Sequence, residues 1–335
     1  MDIYDSLNRP LRDLRISVTD RCNFRCTYCM PKEIYNNDYN YLNKNEILSF
    51  EEIHRITKIF VSLGIHKIRI TGGEPLLRKN LYKLIEKLNN IDGIDIALTT
   101  NGVLLKQQAE QLFDSGLRRI TVSLDAVDDK IFKMLSDSNY SYEDVLKGIE
   151  KSIEVGLKVK VNVVVKRGIN DKHILEMIEY FRHSNIVIRF IEFMDVGSTN
   201  DWNKTSVVQS QEILQMIEDN YNIKKLEKNY FGEVANRYEI QDNSLEFGFI
   251  SSVTEPFCND CTRIRLSSEG KLYTCLFSLS GFDLKEKIRT NLPDEQIMDF
   301  INSIWSNRKD RYSELRNQSV LSSDSNKIEM PYIGG

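Results

Sequence analysis

Between residues 14 and 194, six short β-rich runs alternate with amphipathic stretches. The runs are LRISVT (14–19), KIRIT (67–71), DIALTT (95–100), RITVSLD (119–125), KVKVNVVV (158–165) and IVIRFIEFM (186–194). Strand–helix alternation predicts parallel strands joined by right-handed crossovers. Leu14, Ile16 and Val18 share a face opposite Arg15, Ser17 and Thr19. Ile68 and Ile70 oppose Lys67, Arg69 and Thr71; Ile120, Val122 and Leu124 oppose Thr121, Ser123 and Asp125. Val159, Val161, Val163 and Val165 oppose Lys160 and Asn162. Strands covered on both faces read as near-continuous apolar runs. One apolar and one polar face instead predict an α/β fold built as a partial, open β/α barrel of about six units. Its outside packs on helices and its inside holds a polar ligand, whereas an ordinary closed barrel fills its interior with branched apolar side chains. The third and sixth runs show the pattern less cleanly.

SFEE at 49–52 reads as a capping box, with Gly64 as the stop of that helix; Gly116 and Gly156 close two others. After residue 195 the rhythm changes. A loop-like VGSTNDWN (196–203) precedes a short helix pattern at about 209–219. A hairpin follows at RIRLSSEGKLYTCLF (263–277), turning near Glu269–Gly270, then two helices over roughly 281–308. The expected organisation is a barrel segment, 1–195, and an α+β extension, 196–335, closing one side of it.

Composition excludes several function classes. The 335 residues are 41% hydrophobic and 28% charged, an ordinary globular balance. A net charge of −4 gives no global attraction to nucleic acid or an anionic membrane, so any anion site is a local basic pocket. The start, MDIYDSLNRPLRDLR, has no apolar run, and no stretch approaches the ~18–20 apolar residues of a membrane span. A cytoplasmic location is the expectation, where clustered thiols bind metal or do redox work more often than they form disulfides.

All 6 cysteines fall into two triplets: Cys22, Cys26 and Cys29, and Cys258, Cys261 and Cys275. Three is an odd number for disulfides and one short of a closed tetrahedral zinc site. His54, His66, His173 and His183 are not near either triplet in sequence. Thiolates favour zinc or iron–sulfur clusters, and three cysteines on a four-iron cubane leave one iron open. Two zinc sites completed by distant ligands, or one six-cysteine site, remain alternatives. The first triplet follows the first strand, at the C-terminal end where such barrels build active sites.

C-x3-C-x2-C with an aromatic before its last cysteine (Tyr28) resembles the radical S-adenosylmethionine superfamily. TGGEP (71–75), TTNG (99–102), VSLDA (122–126) and the long run ending at Met194 match that superfamily's layout in order. The second triplet, C-x2-C-x13-C, with TRIRLS (262–267) and a terminal Gly334–Gly335, resembles one family in it: the GTP 3′,8-cyclases of molybdenum cofactor biosynthesis. The likeness runs from about residue 9 to the last residue.

The resemblance implies two [4Fe–4S] clusters and S-adenosylmethionine as cofactors. Cys22, Cys26 and Cys29 would hold the cluster whose open iron binds the methionine end of S-adenosylmethionine. Tyr28 and Met194 would contact its adenine side, Gly73 its methionine end, and Ser123 its ribose or methionine portion. Cys258, Cys261 and Cys275 would hold a second cluster whose open iron helps to bind the guanine of GTP. Arg15, Arg69 and Lys160 point inward by the alternation, and Arg263, Ile264 and Arg265 come right after Cys261 of the second triplet; with Thr100 they are the expected GTP contacts. Arginine forks suit phosphate oxygens. The tail, Gly334 and Gly335, would reach into the active site and be needed for turnover.

The implied reaction removes the ribose 3′ hydrogen of GTP by a 5′-deoxyadenosyl radical, and the carbon radical then closes onto C8. No acid, base or nucleophile stands out; the demand is placement and exclusion of water. A reductant, a downstream enzyme that forms cyclic pyranopterin, and a homodimer come with the resemblance; nucleic acid and membrane partners are not expected. Two other readings stand beside it: a radical enzyme with an auxiliary cluster acting on a peptide, and a zinc-stabilised binding module.

Overall fold

The computed structural model describes residues 2–242, 244–316 and 327–334. Six strands lie side by side in chain order and run parallel: β1 (Asp13–Ser17), β2 (Lys67–Thr71), β3 (Asp95–Thr100), β4 (Arg119–Ser123), β5 (Lys158–Val165) and β6 (Val187–Glu192). Their crossovers carry α1 (Phe50–Ser62), α2 (Leu81–Asn89), α3 (Leu105–Asp114), α4 (Asp129–Ser136) with α5 (Tyr142–Glu154), and α6 (Ile174–Phe181). The capping box forms: Ser49 Oγ accepts from Glu52 N–H, and the Glu52 carboxylate accepts from Ser49 N–H. Gly64 follows α1 with φ 100°, a left-handed stop that costs glycine little.

The strands separate their faces as the sequence predicts. Leu14, Ile16, Ile68, Ile70, Ile120 and Val122 are buried against the helices, each worth roughly 1.5–3 kcal/mol of transfer free energy. A one-residue register slip would turn Arg15 and Arg69 into that core, so burial sets the register.

The second half of the chain joins both edges of this sheet. β9 (Glu246–Ile250) pairs parallel with β6, and β8 (Asn236–Ile240) and β7 (Ile223–Leu226) continue that edge antiparallel. β10 (Arg263–Leu266) pairs parallel with β1, followed antiparallel by β11 (Lys271–Tyr273) and β12 (Phe282–Asp283). The expected hairpin is β10–β11, with Gly270 at φ 90° in its turn. The extension thus adds strands at both flanks of the six-strand segment. Residues 251–262 connect β9 on one edge to β10 on the other, across the open side of an unclosed 12-stranded sheet. The second half also carries the helices α7 (Ser210–Glu218), α8 (Lys285–Arg289), α9 (Asp294–Ser306), α10 (Tyr312–Leu315) and α11 (Met330–Ile333). Among the described residues no helix is long and apolar enough to cross a membrane.

Candidate active site

A cavity of about 300 Å³ lies within the curl of the sheet, and all six cysteines line it. The connections behind it explain how the first triplet is held. The loop after β1 carries Cys22, Cys26 and Cys29, and the GGEP turn after β2 braces it: Gly73 N–H donates to Thr19 O at 2.8 Å and Glu74 N–H to Arg21 O at 2.8 Å. A side chain at Gly73 would overlap the Arg21 carbonyl, so only glycine permits this approach. The Glu74 carboxylate is buried and accepts from Thr100 Oγ1 (2.7 Å), Asn101 N–H (2.7 Å) and Leu76 N–H (2.9 Å). Burial pushes its carboxyl up to about 7, against the pull of those hydrogen bonds. Tyr28 donates to Asp125 Oδ2 at 2.6 Å, and Asp125 Oδ1 accepts from Val164 N–H at 2.8 Å. Tyr28 is thereby fixed to the ends of β4 and β5.

The thiols suit a metal–sulfur group. Burial, then the nearby Glu74 carboxylate, pushes Cys22 up to about 12. Burial, then Cys29 and Cys22, pushes Cys26 well up. Three half-buried thiols that crowd one another favour a cationic group that neutralises them together. Among the described residues no three His, Cys, Asp or Glu side chains group closely enough to share a single metal ion. A cubane takes its cysteines on separate irons, so its ligands stand apart.

Between the triplets the wall is basic. Arg265, Arg15 and Arg69 occupy one register on three adjacent strands. Arg15 is held well below its usual value, by burial first and then by the Arg265 and Arg263 charges. Arg69 donates to Thr99 Oγ1 (3.0 Å) and Thr121 Oγ1 (3.2 Å), neither of which is anionic. Among the described residues Arg15 Nε and Arg189 Nε have no partner. Adjacent buried like charges are unfavourable unless an anion joins them.

At the second triplet, Arg308 Nη2 lies 3.2 Å and Arg263 Nη2 3.4 Å from Cys261 Sγ. Burial alone would push this thiol up, but the Arg263 and Arg308 charges more than offset it and bring it to about 6. Burial pushes Cys275 up to about 12. The tail enters the same cavity. Met330 and Pro331 line it, and Arg265 Nη1 donates to the Gly334 carbonyl.

Cys22, Cys26, Cys29, Tyr28, Gly73, Ser123 and Met194 all line the cavity, as do Arg15, Arg69, Thr100, Arg263, Arg265 and the second triplet. Two expected contacts lie elsewhere. Ile264 is fully buried in the hydrophobic core, because neighbours on a strand face opposite ways. Lys160 shares the inward face but lies off the cavity wall, beside Arg189, Glu246 and Glu233. The Thr100 hydroxyl is already engaged, donating to Glu74 and accepting from Gly102 N–H. Gly335 lies outside the described residues. Sequence reasoning missed Arg189, Arg9, Arg308 and Asp125 on the cavity wall. Arg189 could have been found, since it alternates with Ile188 and Phe190, both buried in the core. Arg9 and Arg308 carry no local signal; they meet the site only through tertiary contacts.

The profile of the Radical SAM superfamily matches residues 16–181, and that of Molybdenum Cofactor Synthesis C residues 186–314. SuiB of Streptococcus suis bound to S-adenosylmethionine shares the fold: TM-score 0.64 at 16% identity, covering 92% of this chain and 69% of SuiB. SuiB bound to its precursor peptide SuiA gives a TM-score of 0.63 at 16% identity over 91% of this chain, which spans 66% of that one. Fold, cysteine loop and profile together define a radical S-adenosylmethionine enzyme, which works with S-adenosylmethionine and a [4Fe–4S] cluster. GTP 3′,8-cyclases of Staphylococcus epidermidis and Staphylococcus aureus are 54% and 53% identical to this chain over 336 aligned positions, 99% of both partners in each case. That of Staphylococcus carnosus is 51% identical over the same span. The chain belongs to the GTP 3′,8-cyclase family.

Proposed function

We propose that this chain converts GTP to 3′,8-cyclo-7,8-dihydro-GTP, the first step of molybdenum cofactor biosynthesis, using a [4Fe–4S] cluster on each cysteine triplet. The observation that carries this reading is one cavity walled by two thiol triplets with a ladder of arginines between them, in which Arg15 Nε has no partner among the described residues. Bound at the first triplet, the cluster and S-adenosylmethionine supply one-electron cleavage of a sulfonium and a radical able to remove hydrogen from a ribose carbon. The residues of the chain do the rest. Arg15, Arg69 and Arg189 take the triphosphate, with the Arg15 and Arg189 Nε donors still open. Gly73, Ser123, Tyr28 and Met194 surround the cofactor side. The cluster that Cys258, Cys261 and Cys275 would hold on the same cavity wall would help to bind guanine, and the docked tail excludes water. Lys160, which interacts electrostatically with Arg189, adds positive potential. The one-electron chemistry requires an external reductant, and the product passes to an enzyme that forms cyclic pyranopterin; the active form is a homodimer.

The test is anaerobic turnover with reductant, S-adenosylmethionine and GTP deuterated at C3′. Deuterium is expected in 5′-deoxyadenosine. Deoxyadenosine free of deuterium would refute GTP as the hydrogen donor while leaving the radical chemistry intact.

A further inference from the structure

Behind the second triplet lies a buried ion network that the proposed reaction does not use. Arg308 Nη1 donates to the Cys261 carbonyl at 2.8 Å, while its Nη2 lies 3.2 Å from the Cys261 sulfur. Arg308 also contacts Asp5 Oδ2 at 3.3 Å. Asp5 in turn pairs with Arg9 Nε at 2.6 Å, and Arg9 Nη1 donates to the Cys258 carbonyl at 2.7 Å. The side chains of Asp5, Arg9 and Arg308 are 0–1% exposed. Trp305, at the end of α9, fixes the assembly by donating its indole N–H to Arg9 O at 3.1 Å, and the Arg308 guanidinium lies over its ring.

The charges do not balance. Arg9, Arg308 and Arg263 crowd this end of the cavity, and among the described residues Asp5 is the fully buried carboxylate that pairs with two of them; Asp310, 3.4 Å from Arg308 Nε, is 32% exposed. Burying a guanidinium costs several kcal/mol unless something anionic accompanies it. The first triplet is set differently. There Arg25 donates to carbonyls (Cys22 O at 2.8 Å) and to the Tyr41 hydroxyl rather than to sulfur, a sulfur contact comes instead from the uncharged Phe24 N–H, 3.4 Å from Cys22 Sγ, and the buried carboxylates Glu74 and Asp125 act on the thiols. N–H···S hydrogen bonds and local positive charge stabilise the more negative, reduced form of an iron–sulfur group.

We propose that Arg308 is a positioning residue of the second cysteine triplet: held by Asp5, it clamps Cys261 at its carbonyl and its sulfur and raises the reduction potential of the cluster bound there. This rests on the reading that a cluster occupies that triplet.

The test uses the full chain carrying Cys22→Ala, Cys26→Ala and Cys29→Ala, so that one cluster reports alone, reconstituted anaerobically with iron and sulfide. This parent is expected to hold ~4 irons, and a parent without iron would overturn both the cluster reading and the inference. Arg308→Gln and Arg308→Lys are then compared by redox titration followed by electron paramagnetic resonance. Arg308→Gln should shift the midpoint potential negative, and Arg308→Lys, which keeps the charge, should recover most of the shift. An unchanged potential in an iron-replete Arg308→Gln would overturn the inference alone. Should Arg308→Gln fail to load while Arg308→Lys loads, the charge is needed for the site to hold its cluster, which supports the inference. Loss of iron with a collapsed thermal melt in both variants would mark Arg308 as a structural strut and refute it.

Discussion

Replacing Gly334 by alanine tests the docked tail most sharply. Gly334 has φ 76°, and a Cβ there would overlap Cγ2 of Thr71. The other atoms of Thr71, Cβ and Oγ1, would stand at 3.5 Å, an ordinary contact. Two costs are therefore separable. A left-handed alanine costs about 1–2 kcal/mol, and the overlap adds roughly 1–3 kcal/mol, typical of overpacking. Together they are about 2–5 kcal/mol, which lowers the docked population about thirty-fold to a few thousand-fold. Upstream, Lys327 on Asp195 (2.9 Å) and Glu329 on Ser198 N–H (2.9 Å) hold the tail, so displacement is confined to its end. Thr71→Ser removes Cγ2 and nothing else. The double variant Thr71→Ser/Gly334→Ala should keep only the conformational cost, about a five- to thirty-fold loss. The assays are the initial rate of cyclised product and amide exchange over residues 327–334. A double variant no better than Gly334→Ala, or a Gly334→Ala chain with wild-type rate and protection, would refute the argument.

Arg15→Gln removes one member of the arginine ladder. It should raise the KM for GTP about ten- to 150-fold, the range for losing a charge-assisted hydrogen bond of ~1.5–3 kcal/mol. The same change should raise the Tm of the GTP-free protein, because burial and the Arg265 and Arg263 charges already oppose Arg15; a lower Tm with unchanged KM would contradict both statements. Lys160 is pushed down to about 8 by burial and then by Arg189. A depressed amine favours its neutral form in the folded state, so the stability tied to it is present above the unfolded value near 10.5 and lost as pH falls through 8. Lys160→Met should therefore be more stable than the parent at pH 7, by about 1–2 kcal/mol after allowing for solvent at a half-buried side chain. Denaturant titrations should show the difference vanishing as pH approaches 10.5, and a pH-independent difference would count against this reading.

Much of the site was legible from local pattern. Period-two alternation in β1, β2 and β4 turns Arg15, Arg69 and Ser123 to the cavity, since a strand has only two faces and burial chooses between them. The same rule would have excluded Ile264, which faces opposite to Arg263 and Arg265. Cysteine spacing is likewise a local property, so both triplets and the GGEP brace could be read before any fold was known.

Other features needed the folded chain. Sequence order cannot say that β9 and β10, separated by 12 residues, pair with β6 and β1 at opposite flanks of the six-strand segment, because strand pairing is a choice among distant partners. That choice carries Cys258 and Cys261 across the open side to face the first triplet. Arg9 and Arg308 are 299 positions apart and are brought together by Asp5, which pairs with both. The sequence by itself determined which residues are chemically able to hold clusters, S-adenosylmethionine and a triphosphate, because side-chain type and strand period are local. The tertiary structure alone decided which of them share one cavity and which charges go unpaired there, because desolvation and Coulomb energies depend on distances that no local pattern encodes.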